Sequence, residues 1–192
     1  MEQVRSFIAI ELPDELRLGL IKLQTQLKSG NQPSVKWVDP NGVHLTLKFL
    51  GNTSVDIIND ITTAMEDAAQ VIPPFHLEAK ELGVFPNLRR VQVAWVGISG
   101  DIDRLCQLQQ LIESNLAPLG FAPESRRFTP HLTLARLHDR ATPDERQRFG
   151  QLIAKSSLQE AYGFDVRAVS LMRSQLTREG AIYSQISLVK LK

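Results

Sequence analysis

At 192 residues the chain is long enough to bury one substantial core, and its apolar and charged fractions of 43% and 22% are those of a soluble globular protein rather than a low-complexity one. A formal net charge of +1 excludes a global field that draws the molecule to nucleic acid or a membrane, so any anion binding must be local. A single cysteine, Cys106, excludes an internal disulfide, and no apolar run is long enough to span a bilayer. The opening Met1-Glu2-Gln3-Val4-Arg5 lacks the basic and apolar regions of an export signal. The expectation is a monomeric, cytoplasmic protein without membrane contact.

Val4 to Leu12 reads as a strand with Phe7, Ala9 and Glu11 on one face. Pro13 then suits a first helical turn, Leu16, Leu20, Leu23 and Leu27 recur at helical spacing, and Gly30 is a natural stop. Lys36-Trp37-Val38 is a short strand, Asp39-Pro40-Asn41-Gly42 a turn, and Val43 to Leu50 a strand closed by Gly51-Asn52. Thr53 or Ser54 can cap a helix that buries Ile57, Ile58, Ile61, Met65 and Ala68, ending at Pro73-Pro74. Phe75 to Val84 and Arg90 to Val96 read as strands joined around Pro86-Asn87. Asp101 can cap a helix with Ile102, Leu105, Leu108, Ile112 and Leu116 inward, and Pro118 and Gly120 end it. Cys106 lies on that helix and reads as a small buried hydrophobe. A strand holds His131 to Leu134, Pro143 starts a helix with Phe149, Leu152 and Ile153 inward, and Phe164–Met172 and Ala181–Leu191 are closing strands.

The tetrapeptide His-Leu-Thr-Leu occurs twice, at His44–Leu47 and His131–Leu134, and the two histidines stand 131 − 44 = 87 positions apart, near half the chain. On a strand each copy sets His and Thr on one face and two Leu on the other. A helix precedes and follows each copy. This duplication predicts an α+β fold, pseudo-twofold and bilobal, with two antiparallel sheets lining a central cleft and helices outside; residues 1–192 form a single two-lobed domain.

Two imidazoles and two hydroxyls facing one another suit cleavage of a phosphodiester without a metal. One histidine takes a proton from water while the other gives one to the departing oxygen, and Thr46, Thr133 and a guanidinium meet the charge gathering on the nonbridging oxygens. Zinc is the competing reading of a histidine pair, but Thr stands where a third ligand would be needed. Cys106 has no nucleophile-elbow pattern around it, and no phosphate loop is present. His76 reads as an exposed strand residue and His138 as a strand-end or loop residue. Lys48, Arg126 and Arg127 are candidates for an entry that meets substrate phosphates, whereas Trp37 and Trp95 read as packing residues.

The strings Arg5–Pro13, Val35–Val38, His44–Gly51 and Phe128–Arg136 together resemble the two-histidine phosphoesterase superfamily, and within it the bacterial RNA 2′,3′-cyclic phosphodiesterases, also called 2′-5′ RNA ligases. The resemblance implies hydrolysis of RNA 2′,3′-cyclic phosphate ends, or of nucleotides carrying them, to 2′-phosphomonoesters, with no cofactor and no metal. ATP-independent 2′-5′ ligation is a secondary activity it implies. His44 matches the proton donor, His131 the proton acceptor, Thr46 and Thr133 the phosphate-contacting hydroxyls, and Arg136 an oxyanion partner. Strict alternation would aim Arg136 away from Thr133, so a bulge or a long reach is required. Phe7 is read either as a base-stacking residue or as core. The rival readings are a phosphodiesterase for another cyclic or 2′-5′ linked nucleotide, and a non-catalytic RNA-binding module of the same fold.

Overall fold

The first strand, β1 (Gln3–Ile10), is solvent-facing at its start and buried on both faces from Ser6 onward, as expected of a strand with neighbours on either side. It opens a chain of nine strands and four helices in a computed structural model that describes residues 2–28, 32–177 and 180–192. The order continues α1 (Asp14–Leu27), β2 (Val35–Trp37), β3 (Leu45–Ser54), α2 (Ile58–Ala69), β4 (Phe75–Phe85), β5 (Val93–Gly100) and α3 (Ile102–Leu116). It ends β6 (His131–Leu137), α4 (Pro143–Lys155), β7 (Tyr162–Val166), β8 (Ala168–Leu176) and β9 (Ala181–Lys190).

The strands make two antiparallel sheets, ordered β3-β1-β8-β9 and β2-β6-β5-β4-β7. The order β3-β1-β8-β9 maps onto β6-β5-β4-β7, with β2 added at the edge beside β6. The expected α+β fold with a pseudo-twofold relation is therefore present. Its lobes, however, are not the two halves of the chain. Helices α2 and α3 pack on the four-stranded sheet, whereas α1 and α4 pack on the five-stranded one. The first half thus lends α1, β2 and β4 to the five-stranded lobe, and the second half lends α3, β8 and β9 to the four-stranded one. The exchange lets one buried cluster run through both sheets, from Ile8 and Leu45 through Ile112 to Leu132 and Leu171.

Several local expectations change for physical reasons. The stretch read as one strand over Phe164–Met172 is two, because the chain leaves the five-stranded sheet after Val166 and joins the four-stranded one at Ala168. The strand β3 does not close at Gly51-Asn52. It runs on to Ser54, and Gly51 takes a positive φ of 73° inside it, where a bulge opposite Ser6 and Phe7 demands it. Thr53 is buried in that strand against Ser6, leaving Ser54 as the cap of the short 3-10 turn before α2. Asp101 precedes α3 but does not cap it; its carboxylate instead accepts from the His76 backbone N–H. Thr142 and Glu145 form a capping box that starts α4, with Pro143 in its first turn. Gly30, read as a helix stop, lies outside the described residues.

Candidate active site

Each His-Leu-Thr-Leu copy ends in a β-bulge. Along β5 and β6, Trp95 pairs with Thr133 and Ala94 with Ala135, so Leu134 is the extra residue. Along β1 and β3, Ala9 pairs with Thr46 and Ile8 with Lys48, so Leu47 is the extra residue. The two bulges occupy the same place in the pseudo-twofold. Each turns two consecutive residues inward, Leu47 and Lys48 in one lobe and Leu134 and Ala135 in the other. The next residue is thereby aimed outward: Phe49 in β3 and Arg136 in β6. The Leu134 carbonyl is held by Val38 N–H (2.9 Å) and the buried Gln24 side chain (3.2 Å). The bulge required to bring Arg136 onto the Thr133 face therefore exists.

The two imidazoles are anchored alike. His44 Nδ1 lies 2.8 Å from the Gly42 carbonyl, and His131 Nδ1 lies 2.7 Å from the Thr129 carbonyl. A carbonyl only accepts, so Nδ1 carries the hydrogen in both rings and Nε2 is left free to take or give a proton. Aromatic contacts, edge-on from Phe7, Tyr183 and Phe85 and tilted from Trp95, hold the ring planes. His44 stands against Phe7 (5.7 Å) and Tyr183 (5.2 Å), and His131 against Phe85 (5.1 Å) and Trp95 (6.4 Å). Burial pushes His44 below its ordinary pKa; the Gly42 bond and the Glu11 carboxylate oppose that, and Arg17 reinforces it. Burial likewise pushes His131 down, opposed by the Thr129 bond and reinforced by Arg136.

One cleft of about 390 Å³ is lined by His44 and Thr46 from the first lobe and by Thr133 and Arg136 from the second. His131 is next to Thr133 on the same face of β6, two residues earlier. The cleft continues past Phe7 and Phe49 to Arg5.

The family model of the 2′-5′ RNA ligase superfamily matches residues 12–178. The chain belongs to that superfamily. The superfamily resemblance read from the two motifs is thus borne out, and its members include close relatives of known description. An RNA 2′,3′-cyclic phosphodiesterase of Methanothermobacter thermautotrophicus is 33% identical over 189 residues, covering 98% of this chain and 100% of that one. One from Aquifex aeolicus is 32% identical over 154 residues, with 79% of each chain covered. Among solved structures, Escherichia coli LigT complexed with 3′-AMP superposes with a TM-score of 0.80 at 26% identity, over 100% of this chain and 99% of that one. TT0787 of Thermus thermophilus gives 0.80 at 25% identity over 97% of both chains.

Other sequence-derived candidates find different places. Lys48 does not face the cleft. The Leu47 bulge turns it inward, where it pairs with Glu113 on α3 and donates to the Ala122 carbonyl (3.0 Å). Phe7 lines the cleft but is only 5% exposed, whereas Phe49 is 70% exposed. Phe49 was not singled out from sequence; its signal is its place five residues after His44, where Arg136 stands after His131. Tyr183, from β9, was also missed, because nothing local ties the last strand to the first motif. Trp37 packs on Phe149 (5.9 Å) and under Lys28, as expected of a packing residue. Trp95 packs as well, but on the His131 ring. Arg126 and Arg127 are exposed and outside the cleft lining. His76 is exposed and bonded to Asp165 (3.0 Å), and His138 follows β6 in a loop. Cys106 is half-buried on α3, its thiol pushed up first by burial and then by Asp103. Among the described residues no three His, Cys, Asp or Glu side chains converge as a metal site, and no helix is long and apolar enough to cross a membrane.

Proposed function

We propose that this protein hydrolyses the terminal 2′,3′-cyclic phosphate of RNA to a 2′-phosphomonoester, with His131 as the base and His44 as the acid. The observation that carries this reading is the pair of equivalently anchored imidazoles beside equivalent threonines, in a chain whose relatives are RNA 2′,3′-cyclic phosphodiesterases. In the step, His131 Nε2 takes a proton from water as the water oxygen bonds to phosphorus. The bond from phosphorus to the ribose 3′ oxygen breaks, and His44 Nε2 delivers the proton that oxygen needs. The phosphate stays on the 2′ oxygen. Each acid or base supplies roughly 10²–10⁴-fold in rate.

Thr46 and Thr133 donate to the nonbridging oxygens, and the Arg136 guanidinium faces the same charge. Both free imidazoles are held toward neutrality by burial, which suits the base; the bound anionic phosphate favours protonation of the acid. Phe49 offers the open ring face for a nucleobase, and Phe7 buttresses His44 from behind. If the 5′ hydroxyl of another RNA replaces water, the same exchange makes a 2′-5′ linkage without ATP, because one phosphorus–oxygen bond is traded for another. The whole of residues 1–192 acts as one two-lobed unit, and the lone cysteine fits a reducing cytoplasm.

The test is incubation with a short RNA bearing the cyclic end, with separation of 2′- from 3′-monophosphate products. A 2′ product supports the reading. A 3′ product, or none, overturns it. Running 2′-5′ linked and other cyclic nucleotides in parallel decides between this substrate and its nearest rivals.

A further inference from the structure

The two lobes carry the same His-Leu-Thr-Leu strand but not the same surroundings, and the difference has an electrical sign. Matching His44 with His131 and Thr46 with Thr133 brings the neighbouring strands into register. Ala9, opposite Thr46, then corresponds to Trp95, opposite Thr133. Ser170, beside Ala9, corresponds to Gly83, beside Trp95. Glu11, one step beyond the Ile10–Leu45 pair and so opposite His44, corresponds to Gly97, opposite His131.

In the second lobe the Trp95 indole fills this space. A Cβ on Gly83 would lie 2.2 Å from that ring, and one on Gly97 would lie 3.3 Å from it. In the first lobe the small Ala9 leaves the space open, and a polar network occupies it. Glu11 Oε1 accepts from Ser170 Oγ and Gln185 Nε2, each at 2.7 Å, and Gln185 also donates to Ser170 Oγ at 3.0 Å. Two donors on one oxygen pin a carboxylate beside His44 where His131 has no side chain at all. The second asymmetry has the same sense: the position after the bulge is the neutral Phe49 on the His44 side and the cationic Arg136 on the His131 side.

We infer that Glu11 is a positioning residue that sets which histidine carries the proton, biasing His44 to be the acid and leaving His131 to be the base. This rests on the acid–base reading above and adds the residue that breaks the symmetry of the pair. The charged and titratable groups around His44 are Arg5 on β1, Glu11 just after it, Arg17 on α1, Asp39 in the preceding turn, Arg136 on β6 and Tyr183 on β9. Of these, Glu11 and Arg17 act on the His44 charge, in opposite directions, and Arg136 acts on that of His131.

The sign of the effect is definite. An acid must keep its proton to work, so the His44 pKa governs the alkaline limb of the pH–rate profile, and the base governs the acid limb. Removing the carboxylate makes His44 lose its proton at lower pH. In Glu11→Gln the alkaline limb of kcat/KM for a 2′,3′-cyclic mononucleotide moves down by about 0.5–1 pH unit, the scale set by one nearby opposite charge discounted for exposure. Activity on the alkaline side falls about three- to tenfold, which is that shift expressed as a rate, while the acid side is unchanged. NMR titration of the two imidazoles shows His44 moving down and His131 staying. Glu11→Asp, which keeps the charge, restores the limb at least in part. An unmoved His44 titration, a uniform loss of rate with both limbs fixed, or a shift of the acid limb instead would each overturn the inference. If the unaltered protein turns over no cyclic phosphate, the hydrolase reading fails, and the His44 titration still decides the role of Glu11.

Discussion

Replacing Lys48 by Met separates a buried structural pair from an RNA contact. Lys48 and Glu113 have side chains 5% and 12% exposed, and they join β3 to α3. Met keeps the length and volume of the lysine stem but removes the ammonium. Glu113 is then left as a buried carboxylate with two remaining donors, Gln109 Nε2 at 3.1 Å and Glu124 N–H at 3.3 Å. Breaking a buried pair on one side costs about 3–5 kcal/mol, and the two surviving donors argue for the lower end. At about 2–4 °C per kcal/mol for a chain of this size, a loss near 3 kcal/mol lowers the melting temperature by about 6–12 °C. Glu113→Gln added to the same chain removes the stranded charge and keeps an acceptor for one of the two donors, so the double variant recovers part of the loss. The assay is thermal and urea unfolding followed by circular dichroism, with kinetics measured well below the transition. An unchanged melting temperature with a raised KM for RNA would refute the reasoning and return Lys48 to the substrate path.

Arg136→Ala should lower kcat/KM about 10²–10³-fold, the scale for losing one preorganised charge donor, and Arg136→Lys should recover only part because it lacks the planar fork; equal activity in all three refutes its role. Phe49→Ala should raise KM for a cyclic-ended dinucleotide by about five- to 150-fold, from about 1–3 kcal/mol of base stacking, with a smaller effect on kcat. An unchanged KM would leave the exposed ring without that function. Excess chelator should leave hydrolysis unaltered, and inactivation reversed by added metal would contradict the step as written.

The core faces of α1 and α3 were legible in the chain because leucine spacing there matches a helical period, and those residues are buried. The two motifs were legible because they are duplicated. The bulges were not. Alternation cannot reveal an extra residue until the pairing strand is known, and at Lys48 the inward residue is polar, so it read as an outward one. The pair Leu134-Ala135, two small or apolar residues where alternation allows one, is the only local trace. Sheet membership was likewise hidden. The jump after Val166 leaves the hydrophobic pattern intact, so nothing local shows that β8 and β9 join β1 and β3. Arg136 was the one residue for which a broken alternation could be anticipated, because its role required it.

The proposed hydrolysis needs two imidazoles that divide one proton-transfer task. Its most direct measurement is single-turnover hydrolysis of a cyclic-ended RNA by His44→Ala, His131→Ala and the double variant, each checked for native folding by circular dichroism. Each single variant should lose about 10²–10⁴-fold, and the double variant far less than the product of the two, since groups that act as a unit are not additive. Near-normal turnover in either folded single variant contradicts it.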